Sequence, residues 1–229
     1  LSALVGLTPF MEQQGIWNQI SNENNRNARD PDARLDPPWP PMGPVPTQAR
    51  YIPWSTEVPT LRCPSDPGVG LPALGRTNYA VNLGDSCYWS IRGARQFPRP
   101  EDGTYPETAG WARHSRATDR GMFVQHKRAK FRDVLDGLSN TVAMVEMGAM
   151  HAREISGQVA IGQHSSVLDD PAICQRFVDA ERPRFYADNV PLRIPGRGGR
   201  WADGAAAFTM VNTILPPNSA SFAVGTAEA

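Results

Sequence analysis

FRDVLDGLSNTVAMVEM, Phe131 to Met147, reads as a turn that delivers the chain into a strand. Asp136-Gly137 supplies the turn, because Asp bonds its own backbone and Gly accepts left-handed torsions. Thr141 to Glu146 then gives the best strand pattern in the sequence. Three other stretches join turn chemistry to extended chain in the same way. They are LRCPSDPG (Leu61 to Gly68), TNYAVNLGD (Thr77 to Asp85) and RWADGAAAFTMVNTILPPNS (Arg200 to Ser219). Within them, Tyr79 to Leu83 reads as a short strand and Phe208 to Leu215 as another, ended by Pro216-Pro217. Gln158 to Gly162 is a further strand candidate. None of the four motifs carries a catalytic group, so what they specify is a scaffold.

Upstream of these motifs, residues 8–20 predict a helix. Thr8 suits the N-cap and Pro9 the first helical position, while Phe10, Met11, Ile16, Trp17 and Ile20 keep a helical rhythm that Gly15 weakens. That stripe reads as a packing face. Eleven of the 22 prolines fall within residues 31–67, among them Pro37-Pro38-Trp39-Pro40-Pro41. Proline fixes φ and lacks an amide donor, so this segment predicts an extended, irregular excursion with neither helix nor central strand. Trp39, Tyr51 and Trp54 inside it imply that it lies against the protein. Residues 77–229 read as β-rich with long connections, the turn-rich stretch from about Pro98 to Gly121 being a surface loop. The expectation is one α+β, loop-rich domain over residues 1–229, with an N-terminal helix on an antiparallel sheet.

Charge is balanced, with 23 basic and 23 acidic residues, which argues against a dedicated nucleic-acid or anionic-membrane binder. Only Lys127 and Lys130 are lysines; the remaining basic residues are arginines, a skew that a GC-rich genome also produces. No run of ~18 apolar residues occurs, so no segment reads as a membrane span. The opening Leu1-Ser2-Ala3-Leu4 lacks an initiator Met and a basic region, so it is not read as a signal peptide. It predicts a chain whose upstream segment is missing.

Candidate chemistry is sparse. Cys63, Cys87 and Cys174 form no CxxC pair and no zinc spacing. Cys63, between Arg62 and Pro64, suits a disulfide at the base of a loop, and an odd count leaves one thiol over. The histidines are His114, His126, His151 and His164; a metal set of Glu146, His151 and His164 lacks any motif spacing. Asp133, Asp136, Ser139 and Asn140 crowd oxygens around Gly137, a calcium-loop flavour without the alternating EF-hand pattern. Turn and capping chemistry is the favoured reading there, and no cofactor is expected. The serines lack the GxSxG elbow. Gly196-Arg197-Gly198-Gly199-Arg200 lacks the GK[ST] ending of a phosphate loop and reads as a surface turn. The basic stretch from Arg113 to Arg132 reads as a solvated loop. Trp89 and Trp111, in polar loop surroundings, are the candidate ligand or partner contacts, since a flat ring there can stack on a sugar or a partner; loop-pinning is the competing reading. The roles of nucleophile, base and stabiliser cannot be filled, so the chain reads as non-enzymatic.

In order, LVGLTPFMEQQGIWNQI, RCPSDPG, TNYAVNLGD, the Gly121-Met122-Phe123 step, DGLSNTVAMVE and RWADG with NTILPPNS resemble a large family of secreted proteins expanded in planctomycete bacteria, domain of unknown function 1559. The likeness covers essentially the whole chain. It implies a prepilin-type leader and a long hydrophobic helix upstream, as in type IV pilins and type II secretion pseudopilins, with a pilin-like, β-rich globular head. That helix would anchor the precursor in the inner membrane and later pack in a filament core. The resemblance also implies a C-terminal strand region that this chain lacks, leaving an incomplete sheet with an exposed edge unless partner chains cover it. Relatives often carry a cysteine just after NTILPPNS, where this chain has Ala220-Ser221-Phe222. Cys174 would then be left without a partner, and Cys63 with Cys87 becomes the favoured disulfide.

The expected function is therefore a structural subunit of an extracellular pilus or pseudopilus, assembling with its own copies or with related subunits. The alternative is a cell-surface module binding glycans or other solutes.

Overall fold

The computed structural model describes residues 1–88, 113, 118, 120–124, 128–149 and 152–225. The N-terminal helix is broken in two. Helix α1 (Ala3–Leu7) gives way to a 3-10 turn (Thr8–Met11), Glu12 takes a left-handed φ of 59°, and α2 (Gln14–Ser21) follows. The expected single helix from residue 8 is corrected by Pro9, whose missing N–H cannot continue an α-helical ladder. Thr8 does not cap: its Oγ1 donates to the Val5 carbonyl at 2.8 Å. The register change buries Leu4, Val5 and Ile20 but turns Phe10 outward, at 83% exposure.

The proline-rich segment is more regular than expected. Strand β1 (Asn24–Asn27) pairs antiparallel with β2 (Asp30–Trp39) in a two-stranded ribbon, with register shifts along it. In such a ribbon every strand has a free edge, so Pro31, Pro37 and Pro38 leave no central ladder incomplete. Helix also occurs here: α3 (Ile52–Ser55) has Pro53 in its first turn, where the lost amide would have had no partner. The aromatic residues do lie against the protein. Trp39, Tyr51, Trp54 and Trp201 form a chain of edge-to-face contacts with centroid separations of 6.1, 4.9 and 6.0 Å. Their polar ends are satisfied: Tyr51 Oη donates to Gln19 O, Trp54 Nε1 to Pro44 O, and Trp201 Nε1 to Pro53 O.

This stack is the centre of the first core, with Leu4, Val5, Ile20, Val58, Leu61 and Ala202 around it. The N-terminal helices therefore rest mainly on aromatic rings and reach the sheet through Tyr79 and Ala3. Ser2 fastens the edge of the core, its Oγ donating to Trp201 O at 2.7 Å and its amide to Ala202 O at 2.9 Å.

The principal sheet has the order β4-β3-β5, with β3 (Tyr79–Gly84) central. Strand β4 (Met144–Glu146) is antiparallel to β3, whereas β5 (Met210–Asn212) is parallel to it, so the sheet is mixed. Both outer strands are shorter than their sequence patterns. Thr141 Oγ1 is drawn back to Gly137 O, which delays β4. Phe208 is taken up by the helical turn α5 (Ala206–Thr209), reached after α4 (Ser166–Asp169). The Gln158–Gly162 candidate contributes only bridges, from Ala160 to Leu192 and to Phe222. Those bridges border a second core of Cys87, Ala160, Val167, Cys174, Tyr186, Val190, Ala220 and Phe222.

Candidate functional site

Three of the sequence motifs converge on Asn78, which is 1% exposed. Its Oδ1 accepts from the Cys63 amide, and its Nδ2 donates to Asp66 Oδ2 at 2.6 Å and to Met147 O at 3.0 Å. Asp66 in turn accepts from the amides of Gly68 and Ala149. The turn of LRCPSDPG, the strand of TNYAVNLGD and the end of β4 are thus one hydrogen-bonded unit, in which the polar residues hold backbone and are not arranged around a reacting atom.

The expected Cys63–Cys87 disulfide is not formed. Cys63 is held on its half-buried turn, with Sγ 3.0 Å from Ser65 Oγ. Cys87 is buried in the second core, its Sγ donating to Leu168 O at 3.6 Å. Cys174, expected to lack a disulfide partner, forms no disulfide and belongs to the same apolar cluster as Cys87. Burial raises the Cys87 thiol pKa and pushes that of Cys174 up to about 11.

Trp89 and Trp111 lie outside the described residues, as do His114, His126 and His151. His164 contacts Ser166 Oγ through Nδ1 at 3.1 Å. In the Asp133–Asn140 loop the side chains serve local backbone: Asp133 Oδ2 accepts from the Lys130 amide, and Asn140 Nδ2 donates to Asp136 O.

The residue that sequence reasoning passed over is Arg197. Its loop is no surface turn, since Gly196, Gly198 and Gly199 are all buried. At Gly198, with φ +63°, a Cβ would sit 2.1 Å from Thr77 O; at Gly196 it would sit 2.4 Å from Gly157 O. These glycines let the loop thread between two backbones, and the glycine density around a single Arg was the signal available in the sequence.

Arg197 projects into a cleft of about 910 Å³ bordered by β4, β5 and residues of the second core. Ile155, Val159, Ala207 and Phe222 give it apolar lining, and an ion pair from Arg184 to Glu154 at 3.7 Å stands among its lining residues. The Arg197 amide donates to Gly157 O at 3.1 Å, and Nη1 donates to Ser221 Oγ at 2.7 Å. Ser221 is itself fixed by Tyr186, whose Oη accepts from the Ser221 amide at 2.8 Å. Burial lowers the Arg197 pKa, with the Tyr186 phenol acting in the opposite sense. Among the described residues no carboxylate pairs with it.

A second surface feature runs into β4. Phe131, Leu135, Leu138, Val142 and Met144 are 73, 92, 56, 48 and 37% exposed. They lead to an edge strand whose outer side carries no strand partner among the described residues.

Compared with known families, residues 1–221 match the model SBP_bac_10, described as Protein of unknown function (DUF1559). The chain belongs to the DUF1559 family. No curated protein and no solved structure matches it. In this DUF1559 chain, the motif order that carried the resemblance is also a spatial grouping. RCPSDPG and TNYAVNLGD meet at Asn78, and RWADG contributes Trp201 to the first core.

Proposed function

We propose that this chain is a non-enzymatic structural subunit of an extracellular pilus- or pseudopilus-type filament, a pilin-like head that assembles with its own copies or related subunits. The observation that carries this reading is the exposed apolar row from Phe131 to Met144 beside the open edge of β4. Apolar side chains next to unpaired strand edges are what subunit contacts cover, and left bare they aggregate. The motif order supports it further, because the family resemblance implies an anchoring helix upstream, as in prepilin-type proteins. Among the described residues no helix is long and apolar enough to cross a membrane. On this reading, membrane attachment belongs to the precursor and its upstream segment, and the head works at the cell surface.

The test uses the full-length protein from its native host. Electron microscopy should show it in repeated helical arrays, and Leu135→Asp with Val142→Asp should leave folded but unassembled protein. A native full-length protein that stays monomeric, with no processed N-terminus by mass spectrometry, would sink the proposal.

A further inference from the structure

The cleft contains a cation for which the described residues supply no counter-charge. A guanidinium has five N–H donors, and here one described side-chain bond, to Ser221 Oγ, engages them. Arg197 is half-buried and lines the cleft, and no other side-chain partner for its donors is found among the described residues. The carboxylates that also line the cleft are engaged or face outward. Asp66 is held by Arg62, Asn78 and the Gly68 and Ala149 amides, and Glu154 by Arg184. Glu146 is exposed on β4. Holding a charged group partly out of water without an opposite charge is unfavourable, so the position calls for an anion from outside.

We propose that the cleft binds a small organic carboxylate with an apolar body, the carboxylate seated on Arg197 and Ser221. The planar fork of Arg matches a carboxylate in two-point contact, and the Ser221 hydroxyl, accepting from Nη1, keeps its own proton to donate. The buried glycine loop and the Tyr186 bond to the Ser221 amide fix both groups before any ligand arrives, which lowers the ordering cost of binding. Ile155, Val159, Ala207 and Phe222 offer the hydrocarbon part a place out of water. The volume is in the range of small-molecule sites. This site is independent of filament assembly, which is read by a different measurement.

Calorimetric titration of the folded protein with octanoate, octylamine and sulfate is the test. Octanoate should bind saturably, with octylamine and sulfate at least about tenfold weaker. Arg197→Gln should weaken octanoate by about tenfold or more at an unchanged melting temperature. Because Arg197 also holds Ser221, a destabilised glutamine variant is replaced by Arg197→Lys, which keeps the charge but loses the fork. A several-fold loss is expected there. In the wild type, octanoate should shift the methyl resonances of Ile155, Val159 and Ala207. No saturable binding, equal binding of octylamine or sulfate, wild-type affinity in either Arg197 variant, or shifts confined to other regions would each overturn the assignment. Sedimentation on the same samples reports assembly separately.

Discussion

Asp66 Oδ2 and Asn78 Nδ2 lie 2.6 Å apart, and this contact ties a turn to the central strand of the sheet. Asp66 sits at a side-chain exposure of 5%, and both of its oxygens accept more than one donor. Replacing Asn78 with Ala leaves the Cys63 amide, the Asp66 carboxylate and the Met147 carbonyl short of a partner together. The expected loss is about 2–4 kcal/mol, read as a drop in the midpoint of chemical denaturation.

Asn78→Asp is a sharper probe, because it sets a carboxylate against the Asp66 carboxylate. Like-charge repulsion raises the pKa of the pair above that in the unfolded chain. The folded variant then holds its proton more tightly than the unfolded one, so its stability deficit should shrink as pH falls from 7 towards about 5. Melting curves across that range check this, and a deficit independent of pH would contradict it.

The three thiols should react in two classes. Cys63 is half-buried on a turn, whereas Cys87 and Cys174 are 4 and 0% exposed and have raised pKa values. At pH 8 a disulfide-exchange reagent should label Cys63 quickly and the other two only as the protein unfolds. Two fast thiols in the native protein would place one buried cysteine wrongly.

Gly198→Ala adds a Cβ at 2.1 Å from the Thr77 carbonyl in a left-handed backbone. The Thr77 carbonyl is backbone and not a flexible side-chain tip, so the loop must move. A loss of about 3 kcal/mol or more is expected in thermal or chemical unfolding. Gly70, also left-handed but with open space around it, should tolerate Ala better.

Tyr51 provides an alkaline probe. Burial raises its pKa from 10.0 to about 12. Between those values the unfolded chain loses a proton that the folded one keeps, so the stabilising contribution is intact below pH 10 and fades as pH rises towards 12. Tyr51→Phe should flatten that part of the stability profile, while giving up the bond to Gln19 O.

Much of this arrangement was legible in the chain, and the misses have definite causes. Tyr79 to Leu83 was readable as a strand because a short extended run meets a Gly-Asp stop there, and the structure extends it only to Gly84. The α+β class followed from the same local cues. Pro9 was readable as a helix start, but Leu4 and Val5 before it are buried on a helix of their own, so the chain is helical on both sides of the break. Pro37 and Pro38 exclude a central strand, and the two-stranded ribbon that holds them has only edges. The parallel β3–β5 pairing and the close packing of Gly198 on Thr77 depend on contacts across more than a hundred residues, which local turn and strand patterns do not encode. Trp89 and Trp111 stand out in the sequence as rings in polar loop surroundings, whereas the cation that lines the cleft sits in a glycine loop that reads as a surface turn.

The tie between Ser2 and Trp201 spans 199 positions. A ribosome releasing this chain from its N-terminus exposes Leu4, Val5 and the Tyr51–Trp54 pair long before Trp201 exists to cover them. At roughly 5–20 residues per second, that interval lasts on the order of ten seconds or more. For that time the nascent chain cannot complete its first core, which keeps it open to chaperones, to proteases and to any translocation machinery that accepts only unfolded polypeptide.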